Sequence, residues 1–300
     1  MPVRGLVHGH LSVRSILFAT DFSPASYPAS LYAVALAAHF ECVLTLVHVF
    51  LPSQSSQEAE ARDGIVSEQR RLLQQRLALT TSALARDAGK ATSVLLEGDP
   101  SVVVPKLANE SSDAILVLGT HGGSSIERRL LGSVAENILR RTAIPTLTAG
   151  QQVITSGKAR PFQRILYATD SSPVASQAAP LVCAFASSFS SRLEVVSVLN
   201  ESEGAVARIL AELDFRTQQE LAANLAERCV HFQAPRSVTY SKHAHNEILR
   251  RLKEDSCDLL VLGIEQKSSL GFADRDSGAF RIIADSPCPV LTITNEAVRS

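Results

Sequence analysis

The chain contains two copies of one unit, and this repeat limits the folds that the sequence can adopt. The segment RSILFATDFSPAS, which begins at Arg14, returns as QRILYATDSSPVAS from Gln163, so that Asp21 aligns with Asp170 at an offset of 149. Near the end of each copy, AILVLG and IPTLT return as DLLVLG and CPVLT at an offset of 144. The sequence therefore predicts a tandem duplication of a unit of about 140 residues, with a net deletion inside the second copy.

Each unit alternates strand and helix patterns. In the first unit, apolar runs rich in β-branched residues occupy 14–20, 42–50, 92–97, 113–119 and 144–149. Between the second and third runs lies a helix pattern with one apolar face, formed by Val66, Leu73, Leu77, Leu84 and Ala88. Runs such as AILVLG are apolar without alternation, which is typical of parallel strands covered on both faces. The pattern predicts an α/β chain of two tandem doubly wound, Rossmann-like domains, each with a five-stranded parallel sheet of order 3-2-1-4-5.

The polar segment AGQQVITSGKARPF, residues 149–162, contains two glycines and a proline and indicates a linker. We expect an N-terminal tail over 1–13, a first domain over 14–150, a linker over 151–161 and a second domain over 162–300. Both units end in a short apolar strand at the sheet edge, and an exposed apolar edge favours pairing with another strand. The two domains are therefore expected to pack against each other as a pseudo-dimer within one chain.

Composition excludes several classes of protein. With 300 residues, 45% of them hydrophobic, the chain can bury a substantial core, and a net charge of −1 gives no general attraction to nucleic acid or to anionic membranes. No apolar run approaches the ~20 residues of a membrane span, and the N-terminus lacks the apolar segment of a secretory signal. Five scattered cysteines form no metal-binding or redox spacing, which favours buried reduced thiols. We expect a cytoplasmic protein without nucleic-acid or membrane partners.

A glycine-rich run, GTHGGSSIERRLLGSVAENILRR over 119–141, follows the fourth predicted strand. In open parallel sheets, ligands bind beyond the carboxyl ends of the strands where the strand order reverses, here between strands one and four. Asp21, which follows strand one, should therefore approach this run. Its carboxylate can accept two hydrogen bonds from a vicinal diol such as that of ribose, while a helix that begins at Gly132 and Ser133 offers N–H groups to a phosphate.

The same residues also allow an account without a ligand. Ser133 and Glu136 have the S-x-x-E spacing of a capping box. Asp21 could cap the helix after strand one, and glycines at strand ends are ordinary turn residues. His121 has no adjacent nucleophile or acidic partner in the sequence, so we expect no catalytic role for it. Residue chemistry alone leaves the two accounts open.

The sequence resembles the universal stress protein family. The spacing G-x2-G-x9-G-S, formed by Gly119, Gly122, Gly132 and Ser133, is similar to the nucleotide-binding pattern of the family's ATP-binding branch. The flanking segments ILFATDFSPAS, LVHVF, EGDPSVVV and SVAENILRRTAIPTL occur in the family's order. The resemblance covers essentially the whole chain, once per unit. It implies the sheet described above and dimerisation through the last strand, which leaves a homodimer open beside pairing within the chain.

The resemblance also implies an adenine nucleotide site in the first domain, for ATP with or without Mg²⁺. Asp21 would take the ribose and Val49 the adenine. The nucleoside pocket would be formed by Ala19, Thr20, Asp21 and Val49. The phosphates would be surrounded by Gly119, Thr120, His121, Gly122, Gly123, Gly132, Ser133 and Val134. No catalytic or metal-binding residue is implied.

The second unit departs from this pattern. Gln266 stands where the first unit has Gly122, and Asp276 stands in place of Gly132. An aspartate at the entrance of the helix would repel a phosphate, so we expect the second site to be degenerate. The leading interpretation is an ATP-binding stress-response protein that acts through nucleotide-dependent conformation or partner binding. The alternative is a nucleotide-independent scaffold, and the absence of a Walker lysine leaves ATP hydrolysis at most slow and incidental.

Overall fold

The computed structural model describes residues 6–7, 10–52, 59–111, 113–120, 131–153, 162–169, 173–199, 236–240, 244–264 and 278–294. The first half contains β1 (Leu6–Val7), β2 (His10–Leu11), β3 (Ser15–Ala19), a 3-10 turn (Pro24–Ser26), α1 (Tyr27–His39), β4 (Val43–Phe50), α2 (Ala59–Ala88), β5 (Ala91–Glu97), α3 (Pro100–Asn109), β6 (Ala114–Gly119), α4 (Ser133–Arg141) and β7 (Thr146–Ala149). The second half contains β8 (Arg164–Thr169), α5 (Pro173–Ser188), β9 (Arg192–Leu199), β10 (Arg236–Tyr240), α6 (Ala244–Glu254), β11 (Leu259–Ile264), α7 (Gly278–Asp285) and β12 (Val290–Thr294).

Ten of these strands form one sheet, in the order β10-β9-β8-β11-β12-β7-β6-β3-β4-β5. Within each half all neighbouring strands are parallel, and each half follows the order 3-2-1-4-5. The central strands lack alternation because helices cover both of their faces; β6, for example, has five consecutive buried residues. The predicted fold class, two tandem doubly wound α/β units, is confirmed.

The two halves meet at β7 and β12, which pair antiparallel with Leu147 opposite Leu291. The Thr148 hydroxyl donates to the Val290 carbonyl oxygen at 3.3 Å, and the Thr292 hydroxyl donates to the Thr146 carbonyl oxygen at 3.1 Å. These two bonds exchange places under the sequence offset of 144, so the join has a local two-fold symmetry. The edge pairing expected from the apolar terminal strands is thus present inside the chain.

Helices reinforce the join on both faces of the sheet. On one face, the Tyr32 ring of α1 stacks on Phe162 at 5.7 Å between centroids, and His39 stacks on Phe189 at 3.8 Å. On the other face, the Arg140 guanidinium of α4 lies 4.4 Å from the centre of the Phe280 ring of α7. Aromatic and cation–π contacts of this kind add stabilisation beyond the area that they bury.

The predicted apolar face of α2 packs as expected, with Leu77 and Ala88 buried against the sheet. Part of the predicted N-terminal tail forms the β1–β2 hairpin, and Leu11 and Val13 pack against the core. The predicted domain boundaries stay a prediction. In the described part of the chain, no helix combines the length and the apolar character that a bilayer span requires.

Candidate functional site

The residues predicted from strands one and four lie side by side at the carboxyl edge of the first half's sheet. β3 and β6 pair in parallel with Ala19 opposite Leu118, so that Thr20 and Gly119 leave the sheet together. A Cβ on Gly119 would lie 3.3 Å from the Ala25 carbonyl oxygen, because the turn after β3 crosses the end of β6. Glycine at 119 therefore permits close approach of protein backbone. The strand order reverses at this point, as the sequence predicted.

Asp21 lies in a hydrogen-bonded turn directly after β3. Its Oδ1 accepts a bond from the Ser23 N–H at 2.9 Å, and the side chain is exposed. The following 3-10 turn has Ser23, not Asp21, as its N-cap. The Thr20 hydroxyl accepts a bond from the Phe22 N–H at 2.9 Å and lies 3.0 Å from the Ser26 hydroxyl. Asp21 therefore shapes its own turn and presents a carboxylate at the sheet edge.

The floor of this edge is formed by the neighbouring strand β4. His48 is buried, and its Nδ1 donates to the Thr20 carbonyl oxygen at 2.8 Å. Val49 is partly buried and packs towards the core on the α3 and α4 face. Ala19, also partly buried, ends β3 beside it. The four residues predicted for a nucleoside pocket, which are Ala19, Thr20, Asp21 and Val49, thus come from the ends of two adjacent strands.

On the side predicted for the phosphates, the chain leaves β6 at Thr120 and returns at Gly132. The Gly132 N–H donates to the Thr120 carbonyl oxygen at 2.8 Å. Thr120 is 1% exposed, and a Cβ on Gly150 would come within 2.5 Å of its hydroxyl oxygen, so the side chain is packed against the end of β7. The predicted loop residues His121, Gly122 and Gly123 lie outside the described residues.

Helix α4 begins at a glycine, which has no side chain that could cap the helix. Gly132 is the N-cap residue with φ −59° and ψ 139°, and no side chain among the described residues bonds to the N–H groups of the first turn. Ser133 and Val134 are exposed, and Glu136 directs its carboxylate to Arg140 at 2.9 Å. The capping box that Ser133 and Glu136 could form is therefore not made. An uncapped helix start has N–H groups and a partial positive charge that suit an anion.

Two side-chain contacts at this site could not be predicted from the sequence. Phe22 has a left-handed backbone with φ 59°, and its ring lies 4.6 Å from the His48 ring. Arg76 of α2 lies with its guanidinium carbon 4.4 Å from the Phe22 ring centre. Arg76 is 54 residues away in the chain, and no motif links the two residues. Only the packing of α2 on the sheet brings them together.

Most residues of the second half that align with this site are not among the residues that the structure describes. Asp170, Gln266 and Asp276 lie outside the described residues, and the predicted loss of this site stays a prediction. His245 Nε2 lies 2.9 Å from an Asp285 carboxylate oxygen. Within the described ranges, no three histidine, cysteine or acidic side chains are grouped as metal ligands.

The fold and the repeated unit together define a tandem protein of two α/β domains joined edge to edge. The sequence profile of the universal stress protein family matches residues 12–149 and again 161–294, so the chain belongs to this family. A universal stress protein of Methanocaldococcus jannaschii is 28% identical over 148 residues, which are 47% of this chain and 84% of that protein. A putative universal stress protein of Staphylococcus aureus is 31% identical over 140 residues, 46% of this chain and 84% of that protein.

Among solved structures, a universal stress protein from Archaeoglobus fulgidus superposes with a TM-score of 0.73 at 19% sequence identity. The match covers 95% of this chain and 98% of that one. At this level of identity the likeness concerns the fold, and it extends over both halves.

Proposed function

We propose that the first domain binds one ATP and that the protein acts in the stress response through nucleotide-dependent conformation or partner binding. The observation that carries the proposal is the meeting of two elements at one sheet edge. The exposed carboxylate of Asp21 follows β3, and the start of α4 at its N-cap glycine, Gly132, returns to the end of the adjacent strand β6. The first element suits a ribose and the second a phosphate.

The chemistry of Asp21 supports the ribose assignment. A carboxylate has about four lone-pair positions, so a group that accepts the Ser23 N–H can accept more than one hydrogen bond at a time. A vicinal diol donates two hydrogen bonds to such a group, and bonds with a charged acceptor are stronger than neutral ones. Thr20, Ala19 and Val49 then supply the backbone and apolar surface around the nucleoside.

The charges around α4 support the phosphate assignment. Glu136 is the acidic residue of the first turn, but its ion pair with Arg140 offsets its charge. The N–H groups of Ser133 and Val134 belong to the first turn of the helix and have no acceptor within it. The resemblance to the family's nucleotide motif implies that Gly119, His121, Gly122 and Gly123 run along the same phosphates.

The second domain serves in this proposal as the partner surface of the first, without an equivalent ATP site. Its β12 completes the edge of β7, and Asp276 replaces the glycine at the helix entrance. The protein is proposed to act in the cytoplasm, as its sequence predicts, by binding ATP and not by catalysis.

A nucleotide-independent scaffold is the competing function. It is favoured by the local bond between Asp21 and Ser23 and by the buried position of Thr120, which both give site residues a structural role. Calorimetric titration of the full chain with ATP separates the two functions. We expect saturation at one ATP per chain, with adenine nucleotide released from the denatured protein and detected by mass spectrometry. No heat of binding would favour the scaffold, and two equivalent sites would contradict the assignment to the first domain.

A further inference from the structure

Phe22 adopts a backbone conformation that a residue with a side chain rarely takes. Its φ of 59° lies in the left-handed region, where the Cβ crowds the following carbonyl group. Such residues persist when the surrounding structure holds them, and they often mark functional sites. Phe22 follows Asp21 directly, and the Asp21–Ser23 hydrogen bond spans it. The conformation of Phe22 therefore sets the direction of the Asp21 carboxylate.

Three contacts hold Phe22 in this conformation. Its N–H donates to the Thr20 hydroxyl at 2.9 Å, and one side of its ring meets His48 at 4.6 Å. The third contact is made by the Arg76 guanidinium, which interacts with both the ring and the backbone of Phe22. The carbon lies 4.4 Å from the ring centre, and Nη2 donates to the Phe22 carbonyl oxygen at 3.2 Å. A planar guanidinium can make a cation–π contact and a hydrogen bond together, which an ammonium does less well.

We propose that Arg76 is a positioning residue of the candidate ATP site, which it serves by holding Phe22 and thereby aiming Asp21 at the ribose. The inference rests on the proposed function. Arg76 comes from α2, outside every segment that resembles the family's nucleotide motif, and among the described residues it contacts the turn after β3 through Phe22. It makes the orientation of Asp21 dependent on how α2 packs against the sheet.

The role of Arg76 is tested by substitutions in the full chain with ATP and 2′,3′-dideoxy-ATP as ligands. Arg76→Ala should weaken ATP binding by about twofold to fivefold, the range that an exposed cation–π contact corresponds to. The same substitution should leave dideoxy-ATP binding unchanged, because that ligand lacks the ribose hydroxyls that would donate hydrogen bonds to Asp21. Arg76→Lys should recover part of the loss. Arg71→Ala is the matched control, since Arg71 lies on the same helix and pairs with Glu68 at the surface.

A second pair of variants tests the strain itself. Glycine adopts positive φ without a clash, so Phe22→Gly should no longer depend on the arginine. Arg76→Ala added to Phe22→Gly should therefore change ATP affinity less than it does in the wild-type chain. An equal loss in both backgrounds would overturn the mechanism through Phe22.

Hydrogen exchange gives a reading that needs no nucleotide. The amides of Phe22 and Ser23 are both bonded inside the turn, and they should exchange faster in Arg76→Ala than in the wild type or in Arg71→Ala. If the wild type binds ATP but these amides are unchanged, or if ATP and dideoxy-ATP lose affinity equally, Arg76 is not a positioning residue. If the wild type binds no ATP, the proposed function fails and the ribose part of the inference fails with it. The exchange rates then report only on whether Arg76 stabilises the turn at Phe22.

Discussion

The Gly132 N–H donates to the Thr120 carbonyl oxygen at 2.8 Å and ties the start of α4 to the end of β6. This bond fixes the helix start relative to the sheet, and the N-cap glycine itself has no side chain that could cap the helix. The glycine at the N-cap leaves that position without charge, whereas the second unit has Asp276 there. The two units therefore differ at the residue where a phosphate would be most sensitive to charge.

Gly132→Asp should change stability and ATP binding in opposite directions. Aspartate is a better N-cap than glycine by a few tenths of a kcal/mol, and the φ of −59° at this position accepts a side chain. The free energy of unfolding should rise slightly or stay constant. ATP affinity should fall about tenfold or more, because the carboxylate takes the N–H groups and repels the phosphates. Denaturant unfolding and calorimetric titration measure the two effects.

Gly132→Asn separates capping from charge in the same experiment. Asparagine caps as well as aspartate but is neutral, so it should reduce ATP affinity less. AMP, with one phosphate, should lose less affinity than ATP in the aspartate variant. Equal ATP affinity in the wild type and in Gly132→Asp would show that the phosphates do not bind at α4.

Asp21→Ala should weaken ATP and ADP binding by the same factor, because both nucleotides carry the same ribose. Asp21→Asn serves as the control for the turn, since its amide oxygen can still accept the Ser23 N–H while the charge is lost. If affinity depends on the charged acceptor, the asparagine variant should also bind more weakly, with unchanged thermal stability. An alanine variant that retains wild-type affinity would disprove the ribose assignment.

The strands and their order could be predicted from sequence because buried parallel strands have a local signature. The sequence predicts this strand over 113–119, and β6 spans Ala114–Gly119. The prediction is possible because a short uninterrupted apolar run is typical of a parallel strand covered on both faces. The cap of α4 was ambiguous for a physical reason. Glu136 can reach back to a capping box or forward to Arg140, and the structure has the second contact. Which of these wins depends on side-chain packing that the local sequence does not contain.

Arg76 could not be found from sequence for a related reason. Helix α2 carries several arginines, and any of them could face the turn after β3. Arg70 pairs with Glu97 and Arg71 with Glu68, while Arg76 reaches Phe22. The rotation of a 30-residue helix on the sheet decides between them, and this rotation is set by distant contacts such as that of Leu77 with the core.

Residues 14–150 expressed alone should dimerise or aggregate. The fragment would expose the edge of β7, which pairs with β12 in the full chain, and it would uncover Tyr32, which stacks on Phe162. Size-exclusion chromatography with light scattering checks this, with the full chain at the same dilutions as the reference. A fragment that remains a monomer and binds ATP as tightly as the full chain would contradict the structural need for the second domain.

The described cysteines should resist thiol reagents in the folded protein. Burial raises the pKa of the Cys288 thiol to about 12, and burial together with the nearby Cys288 raises that of Cys257 to about 12 as well. Burial also raises the pKa of Cys42. Cys229 lies outside the described residues and is therefore replaced by serine in this test. Because the thiolate is the reactive form, the four remaining thiols of the Cys229→Ser variant should react slowly with thiol reagents at pH 8 and quickly in denaturant. Fast labelling of Cys288 in the folded chain would contradict its burial.

The antiparallel pairing of β7 with β12 affects how the two halves can diverge in sequence after a duplication. Because the strands of one half run opposite to those of the other, their carboxyl ends point to opposite edges of the shared sheet. The carboxyl end of β3, which Asp21 follows, and the carboxyl end of β8 therefore lie at opposite edges of the sheet. After gene duplication, selection could act on each edge separately. A substitution at one edge, such as Asp276 in place of the glycine of the first unit, therefore need not change the other edge.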